Sequence, residues 1–184
     1  MKQKKIVLKP YTHVWKQNFL KIRKRLQKVL TLDYAYIHHI GSTSVEGLAA
    51  KPIIDIDIEM KGSESFQDVS IKLSRLGYRH VGDQGIPGRE VFKLKKWSLL
   101  PKHHVYVCAS NANELKRHIG FRDYLRKHPE MKSAYQAIKI EAAKKHPYDM
   151  DAYLRMKGIF IQNVYRQLGL DSLSQDDAKK HQPR

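Results

Sequence analysis

The run Ile53-Ile54-Asp55-Ile56-Asp57-Ile58 constrains this chain more than any other stretch of its 184 residues. Isoleucine is stiff at χ1 and suits extended backbone, so the run predicts a strand over Ile53 to Met60. Strand side chains alternate between faces. Ile54, Ile56 and Ile58 therefore make one apolar face, while Asp55 and Asp57 share the other. Two acids so placed stand ~6–7 Å apart along the backbone. Either they lie on a half-exposed sheet face, or their carboxylates converge on one Mg²⁺ or help hold two. Glu59 has the same parity, but at the strand end solvent accounts for it.

Upstream, Ala35 to Ile40 is short, apolar and aromatic, and it stops at Gly41. It reads as a strand running into the turn Gly41-Ser42-Thr43-Ser44. Such a turn can offer backbone N–H groups and a hydroxyl to a phosphate where a helix begins, because a helix start leaves its donors unpaired. Alone, the same residues make an ordinary tight turn. Placed ahead of two acids on one strand face, they suggest a joint phosphate and metal site, with Gly41, Ser42 and Thr43 toward phosphate and Asp55 and Asp57 toward metal.

The rest of the pattern predicts a mixed α/β chain. Apolar residues from Thr12 to Leu30 fall in one stripe at helical spacing, and Phe66 to Leu76 fits a second helix closed by Gly77. Tyr78 to Val81, Arg89 to Leu94 and His104 to Cys108 are further strands, with a turn-rich loop at 82–88. Beyond Ser110 the chain turns helical. Asn111 with Glu114 resembles a capping box for a helix running to about His128, where Pro129 ends it. A helix over about 130–145 and another from Asp149 to Gly169 follow, and Asp171 to Arg184 reads as a polar, frayed tail. The expected organisation is a single domain over 1–170, with the sheet in about 1–110 and a helical part in about 111–168.

Lys and Arg outnumber Asp and Glu by 35 to 18, a net charge of +17. Such a surface attracts polyanions over roughly 8–10 Å at physiological salt. The basic residues are spread along the chain, which fits a solvated surface making weak, nonspecific nucleic-acid contacts as well as it fits a dedicated groove. Cys108 is the only cysteine, which excludes an internal disulfide. No apolar run is long enough to span a membrane, so the expected setting is a reducing cytoplasm without a membrane partner. Oligomeric state is not legible.

Histidines come in adjacent pairs, His38-His39 and His103-His104. Neighbours on a strand face opposite ways, so each pair offers only one ligand to any point, and no Cys-x-x-Cys or helical His pair supports structural zinc. His104 is the better candidate to share a cleft with Asp55, as metal ligand or proton acceptor, against the alternative of a plain strand histidine. Lys51 and Arg89 either reach phosphate or stand as surface cations. His39, His103 and Arg122 are further candidates for the pocket wall, although Arg122 beside Asp123 also suits an internal salt bridge.

Together these residues resemble a family. Gly41-Ser42 with Asp55-Ile56-Asp57 is similar to the signature of the nucleotidyltransferase superfamily, and the longer string resembles its GrpB branch, also grouped as UPF0157. The resemblance rests on His39 to Thr43, Gly47 to Pro52 and Ile54 to Ile56. It continues through Gly85 to Arg89, His103 to Val105 and Phe121 to Pro129, and ends with Tyr153, Lys157 and Phe160.

The resemblance implies a nucleotidyltransferase-like mixed sheet flanked by helices, with Ser42 at the phosphates, Asp55 and Asp57 holding Mg²⁺, and Asp55, Asp57 and His104 as the catalytic set. A third acid normally comes from a later strand of this fold. Here that stretch is His103-His104-Val105-Tyr106-Val107, which carries no carboxylate and has Tyr106 where the family tends to another histidine. The implied activity is transfer of a nucleotidyl group from a nucleoside triphosphate to an unspecified acceptor. Two alternatives stand beside it. One is a noncatalytic nucleotide- or coenzyme A-related module, suggested by fusions of this domain to dephospho-CoA kinase. The other is a basic RNA-binding protein.

Overall fold

In the computed structural model, which describes residues 4–30, 35–61, 65–95 and 98–171, the isoleucine face of the acid-bearing strand is the centre of the main core. Ile54, Ile56 and Ile58 are 1%, 0% and 0% exposed on strand β2 (Ile54–Met60), where β1 is Ala35–Ile40. Each isoleucine contributes about 1.5–3 kcal/mol by leaving water. Against them pack Trp15, Phe19, Ile22 and Leu26 of helix α1 (Val14–Leu26), one side of the predicted amphipathic helix. The helix stops at Leu26, short of the expected Leu30, and residues 27–30 continue as a turn that still buries Leu30. Helix α2 (Phe66–Arg75) adds Val69 and Leu73 to the same core. Ser65 and Asp68 form its capping box, and Gly77 follows it at φ +88°.

Strands β3 (Tyr78–His80), β4 (Arg89–Leu94) and β5 (His103–Ala109) complete a five-stranded sheet in the order β1-β2-β5-β4-β3. Only β2 and β5 run parallel, and the other neighbours are antiparallel. The parallel pair sets Asp55 opposite His104 and Asp57 opposite Tyr106. Asp55, Asp57, His104 and Tyr106 therefore share one face, and His39, paired with Ile56, lies on the other.

The helical part covers the acid face. Helices α3 (Asn113–Lys127), α4 (Pro129–Lys145) and α5 (Met150–Gln167) pack on one another, and α3 also meets β1 and β5. Pro129 both ends α3 and opens α4, a position where its missing N–H costs nothing. Asp149 caps α5 through the Ala152 N–H at 2.9 Å. The expected Asn111 cap does not form: Ala112 precedes α3 without a side-chain bond, and Glu114 turns to Arg117 and His118 instead. A second core of Val45, Leu48, Leu125 and Tyr135 joins the turn after β1 to α3 and α4. The N-terminal segment straps the two parts, with Lys9 bridged to Ala50 and Ile6 packed on Ala142 and Tyr153. No helix among the described residues is long and apolar enough to cross a membrane. All but the first residue of the polar tail read over 171–184 lies outside the described residues.

Candidate functional site

Between the acid face of the sheet and α3–α5 lies a cavity of about 1000 Å³. Gly41, Ser42, Thr43, Lys51, Asp55, Arg89 and His104 all line it. The turn at its mouth is a single 3₁₀ turn, Ser42–Ser44, rather than the start of a long helix, so its donors act as a local nest without a helix dipole behind them. Gly41 is required there. Its φ is +68°, and a Cβ would come within 2.5 Å of Asp55 Oδ2, so only glycine lets the turn close over the carboxylate. Ser42 and Tyr135 from α4 line the same cavity. Thr43 faces inward instead: its hydroxyl donates to the Ile53 carbonyl at 3.4 Å and lies 3.1 Å from the His39 ring.

The two acids have different environments. Asp55 Oδ1 accepts from His104 Nδ1 at 2.8 Å, with both side chains partly exposed to the cavity. A carboxylate only accepts, so Nδ1 carries a proton and Nε2 is the ring atom left to meet another group. Asp57 has no exposed surface, because α3 closes over it, and no half-exposed sheet face remains at this position. Its Oδ2 lies 2.8 Å from His118 Nδ1, while His118 Nε2 lies 3.2 Å from Glu114 Oε1. Burial alone would lower the His118 pKa. The two flanking carboxylates outweigh it and raise the value to about 10, so His118 is an imidazolium at neutral pH. The same imidazolium, with Arg117 and Arg89, overcomes burial to hold the Glu114 carboxyl below its usual range. Asp57 Oδ1 is buried with no hydrogen-bond partner among the described residues.

Cations gather on the opposite wall. Lys139 is 2% exposed, donates to the Ala49 carbonyl, and has its pKa lowered to about 7 by burial and by Lys157 and Lys51. Burial also lowers Lys157 and Lys51, and both ammonium groups sit over the Tyr153 ring, at 5.8 and 5.6 Å. The Arg89 guanidinium lies 4.7 Å over Tyr106, and its Nε is buried without a hydrogen-bond partner among the described residues. Bringing several like charges together in a low-dielectric cavity is costly unless an anion enters it.

Three expected wall residues lie elsewhere. His39 stacks on Phe19 at 4.6 Å on the far side of the sheet, where strand parity puts it. His103 is on that side too: its Nδ1 donates to the Pro101 carbonyl at 2.6 Å and its Nε2 accepts from Tyr78 at 2.7 Å. Arg122 pairs with Asp123 at 2.8 Å and donates to the His39 carbonyl, the internal salt bridge that was its alternative. Conversely, Glu114, His118, Lys139 and Lys157 belong to the site without having been singled out as site residues. Their signals were a Glu and a His four residues apart on one helix, and a lysine within the apolar stripe Tyr135-Lys139-Ala142.

Mg²⁺ is the ion the family resemblance implies, and carboxylate oxygens are the hard ligands it prefers. Asp55 is open to the cavity, whereas Asp57 is fully buried outside its lining, paired with His118 through Oδ2 and with Oδ1 unpartnered among the described residues. Among the described residues no group of three or more His, Cys, Asp or Glu is arranged to hold a metal.

Relatives with this sheet and these helices are known. The chain is 34% identical over 162 residues to the UPF0157 protein YqkA of Bacillus subtilis, covering 88% of this chain and 47% of that protein's length. The crystal structure of conserved protein GrpB from Enterococcus faecalis superposes with a TM-score of 0.75 at 32% identity, covering 92% of this chain and 98% of that one. Cid1 poly(U) polymerase, solved bound to MgATP, aligns with a TM-score of 0.52 at 14% identity over 74% of this chain and 45% of its own, a likeness of fold alone. The fold of the sheet is thus shared with that polymerase. The family model for GrpB protein matches residues 5–167, through both the strands and the helices that enclose the cavity, and the chain belongs to the GrpB family.

Proposed function

We propose that the cavity binds a nucleoside triphosphate together with Mg²⁺ and transfers its nucleotidyl group to the hydroxyl of an acceptor. The observation that carries this reading is the opposition, within one cavity, of the Asp55 carboxylate of β2 to the lysines of α4, α5 and the loop before β2. Lys51, Lys139 and Lys157 suit the outer phosphates, whose charge offsets their mutual repulsion, and the Ser42 turn suits a phosphate oxygen. Asp55 and Asp57 would hold Mg²⁺, which supplies charge neutralisation and Lewis-acid polarisation at the phosphates when bound. With two carboxylates, the other ligands come from phosphate and water, as is usual for this ion, so the missing third acid weakens resident metal binding more than binding of a metal–nucleotide complex.

In the transfer the acceptor oxygen bonds to the α-phosphorus, the bond to pyrophosphate breaks, and the acceptor proton passes to His104 Nε2, which Asp55 orients. Arg89 balances charge on the departing pyrophosphate. The Asp57–His118 pairing favours a second reading, a noncatalytic nucleotide- or coenzyme A-related module, because one of the two acids already has a cationic partner.

Thermal melts with each nucleoside triphosphate, with and without Mg²⁺, test binding. At about 100 times its dissociation constant a ligand adds roughly 2.7 kcal/mol, some 5–10 °C for a chain of this size. Asp55→Asn and Lys51→Ala should reduce the shift. Asp57→Asn is a poorer probe, because it breaks a buried pair. No Mg²⁺-dependent shift with any nucleotide would exclude both readings. Transfer of radiolabel from an α-labelled triphosphate to an acceptor in extract selects the enzyme, and binding without transfer selects the module. Nucleic-acid binding with a steep salt slope that ignores these substitutions would support the basic-surface reading instead.

A further inference from the structure

A second groove, of about 540 Å³, opens on the outer edge of β1, between α1 and the start of α4. It touches the Thr43-Ser44 turn from the side opposite the acids. Its walls carry the cations Lys16, Arg23, Arg126 and Lys132 and the carboxylate Glu46, and Arg126 also pairs with Asp123 at 3.4 Å. Arg126 donates to the Ser44 carbonyl at 2.8 Å and Lys132 to the Glu46 carbonyl at 3.0 Å, which fixes both side chains at the rim with N–H groups to spare. The Arg23 Nε is buried without a hydrogen-bond partner among the described residues. An unpaired donor of this kind carries a penalty that an entering anion removes.

The floor is aromatic. Phe19 and His39 stack at 4.6 Å with 10° between their planes, and Tyr11 stands beside them in the wall. Burial lowers the His39 pKa to about 4, so at neutral pH the imidazole adds a flat, uncharged surface to the cationic rim. A flat apolar floor beside converging cations selects a ligand with a ring at one end and a multiply charged anion at the other. A phosphate monoester carries close to two charges and three acceptor oxygens, which matches arginine and lysine donors better than a carboxylate does. No pair of carboxylates faces this groove to hold a metal, so the cations alone must neutralise the anion. That suits one phosphate rather than three.

We infer that this groove is a binding site for a nucleoside monophosphate, with the phosphate on Lys16, Arg23 and Arg126 and the base against Tyr11 and Phe19. The site is separate from the triphosphate cavity and does not depend on that reading. Because Thr43 lines both, a ligand here touches the loop that presents Ser42 from behind.

Calorimetric titration of the full chain with AMP, CMP, GMP and UMP, beside inorganic phosphate, adenosine and a short single-stranded RNA, tests it. At least one monophosphate should bind more tightly than phosphate or adenosine. Its affinity should fall at least tenfold in Arg23→Gln and in Lys16→Glu, and remain in Lys51→Ala. Lys16 is exposed, so that variant keeps the test valid if Arg23→Gln fails to fold. Loss of binding in Lys51→Ala with retention in both groove variants would overturn the site. So would the absence of monophosphate binding at millimolar concentration, or RNA binding where no monophosphate binds.

Discussion

His118 Nδ1 lies 2.8 Å from Asp57 Oδ2, and its Nε2 lies 3.2 Å from Glu114 Oε1, so one imidazole ring bridges two carboxylates across the sheet–helix boundary. Each oxygen accepts only, and both ring nitrogens therefore carry protons. The charge is structural as well as local to the site, since it neutralises an acid that α3 has taken out of water.

The pH dependence of this contact has a definite sign. The folded His118 pKa of about 10 lies above the unfolded value near 6.5, so its stabilisation is complete below pH 6.5 and is lost as pH rises through about 10. The difference in unfolding free energy between wild type and His118→Gln, measured in urea from pH 6 to 10, should shrink as pH rises. His118→Ala should cost about 3–5 kcal/mol at pH 7, the usual penalty for stranding one partner of a buried pair. A difference that stays constant over this range would mean that the ring is neutral in the fold.

His39 and His103 give an acid limb of the opposite kind. Burial lowers both, His39 to about 4, so the unfolded chain takes up protons that the folded chain refuses. The His39 stabilisation is present above about pH 6.5 and disappears as pH falls through about 4, and that of His103 is likewise lost as pH falls below 6.5. The melting temperature should drop over that interval even with no carboxylate titrating. In His39→Phe, which keeps a ring on Phe19, the drop should be smaller, and a scan from pH 7 to 4 in both proteins checks it.

Much of this was legible because strand parity is strict. The alternation of Ile54, Asp55, Ile56 and Asp57 set which residues share a sheet face, although of the two acids only Asp55 lines the cavity, and the same rule sends His39 and His103 to the other side. What sequence could not show was depth. Asp57 is more buried than Asp55 because α3 crosses over it, and that depends on how helices distant in sequence dock on the sheet. Glu114 was misplaced for a related reason: a Glu in the first turn of a helix suits a cap equally well, and only the position of His118 beside Asp57 draws it inward. Lys139 interrupts an apolar stripe and Lys157 belongs to the family motif, but which cavity they enter depends on how α4 and α5 pack together.

Gly41 links backbone geometry to the site. Replacement by alanine places a Cβ 2.5 Å from Asp55 Oδ2 at a φ of +68°, so the turn must open or the carboxylate must move. The backbone at φ +68° and ψ −175° is essentially open to glycine alone and costs alanine about 1–3 kcal/mol, to which the clash adds. Urea unfolding should show that loss, and any Mg²⁺-dependent nucleotide shift should be nearly abolished in the variant at temperatures where it is still folded. Equal stability and equal nucleotide response would mean that the turn does not close over Asp55 in solution.

Lys139 gives the last test, because its charge is linked to the anion it awaits. With its folded pKa near 7 and an ordinary value of 10.5, it is mostly neutral at pH 8.5, held there by burial, Lys157 and Lys51. Its contribution to stability is present above about pH 10.5 and is lost as pH falls through about 7, opposite in sign to that of His118. A triphosphate entering the cavity supplies the opposite charge that the three lysines lack and raises the pKa again. Binding at pH 8.5 should therefore take up a proton from buffer, on the order of one per site. Calorimetry in buffers of different ionisation enthalpy measures that uptake directly. Lys139→Met keeps the side-chain length and should remove most of the uptake while weakening triphosphate binding about tenfold, a difference of ~1.4 kcal/mol. Binding with no proton uptake in the wild type would place the phosphates away from α4 and leave Lys139 outside the site.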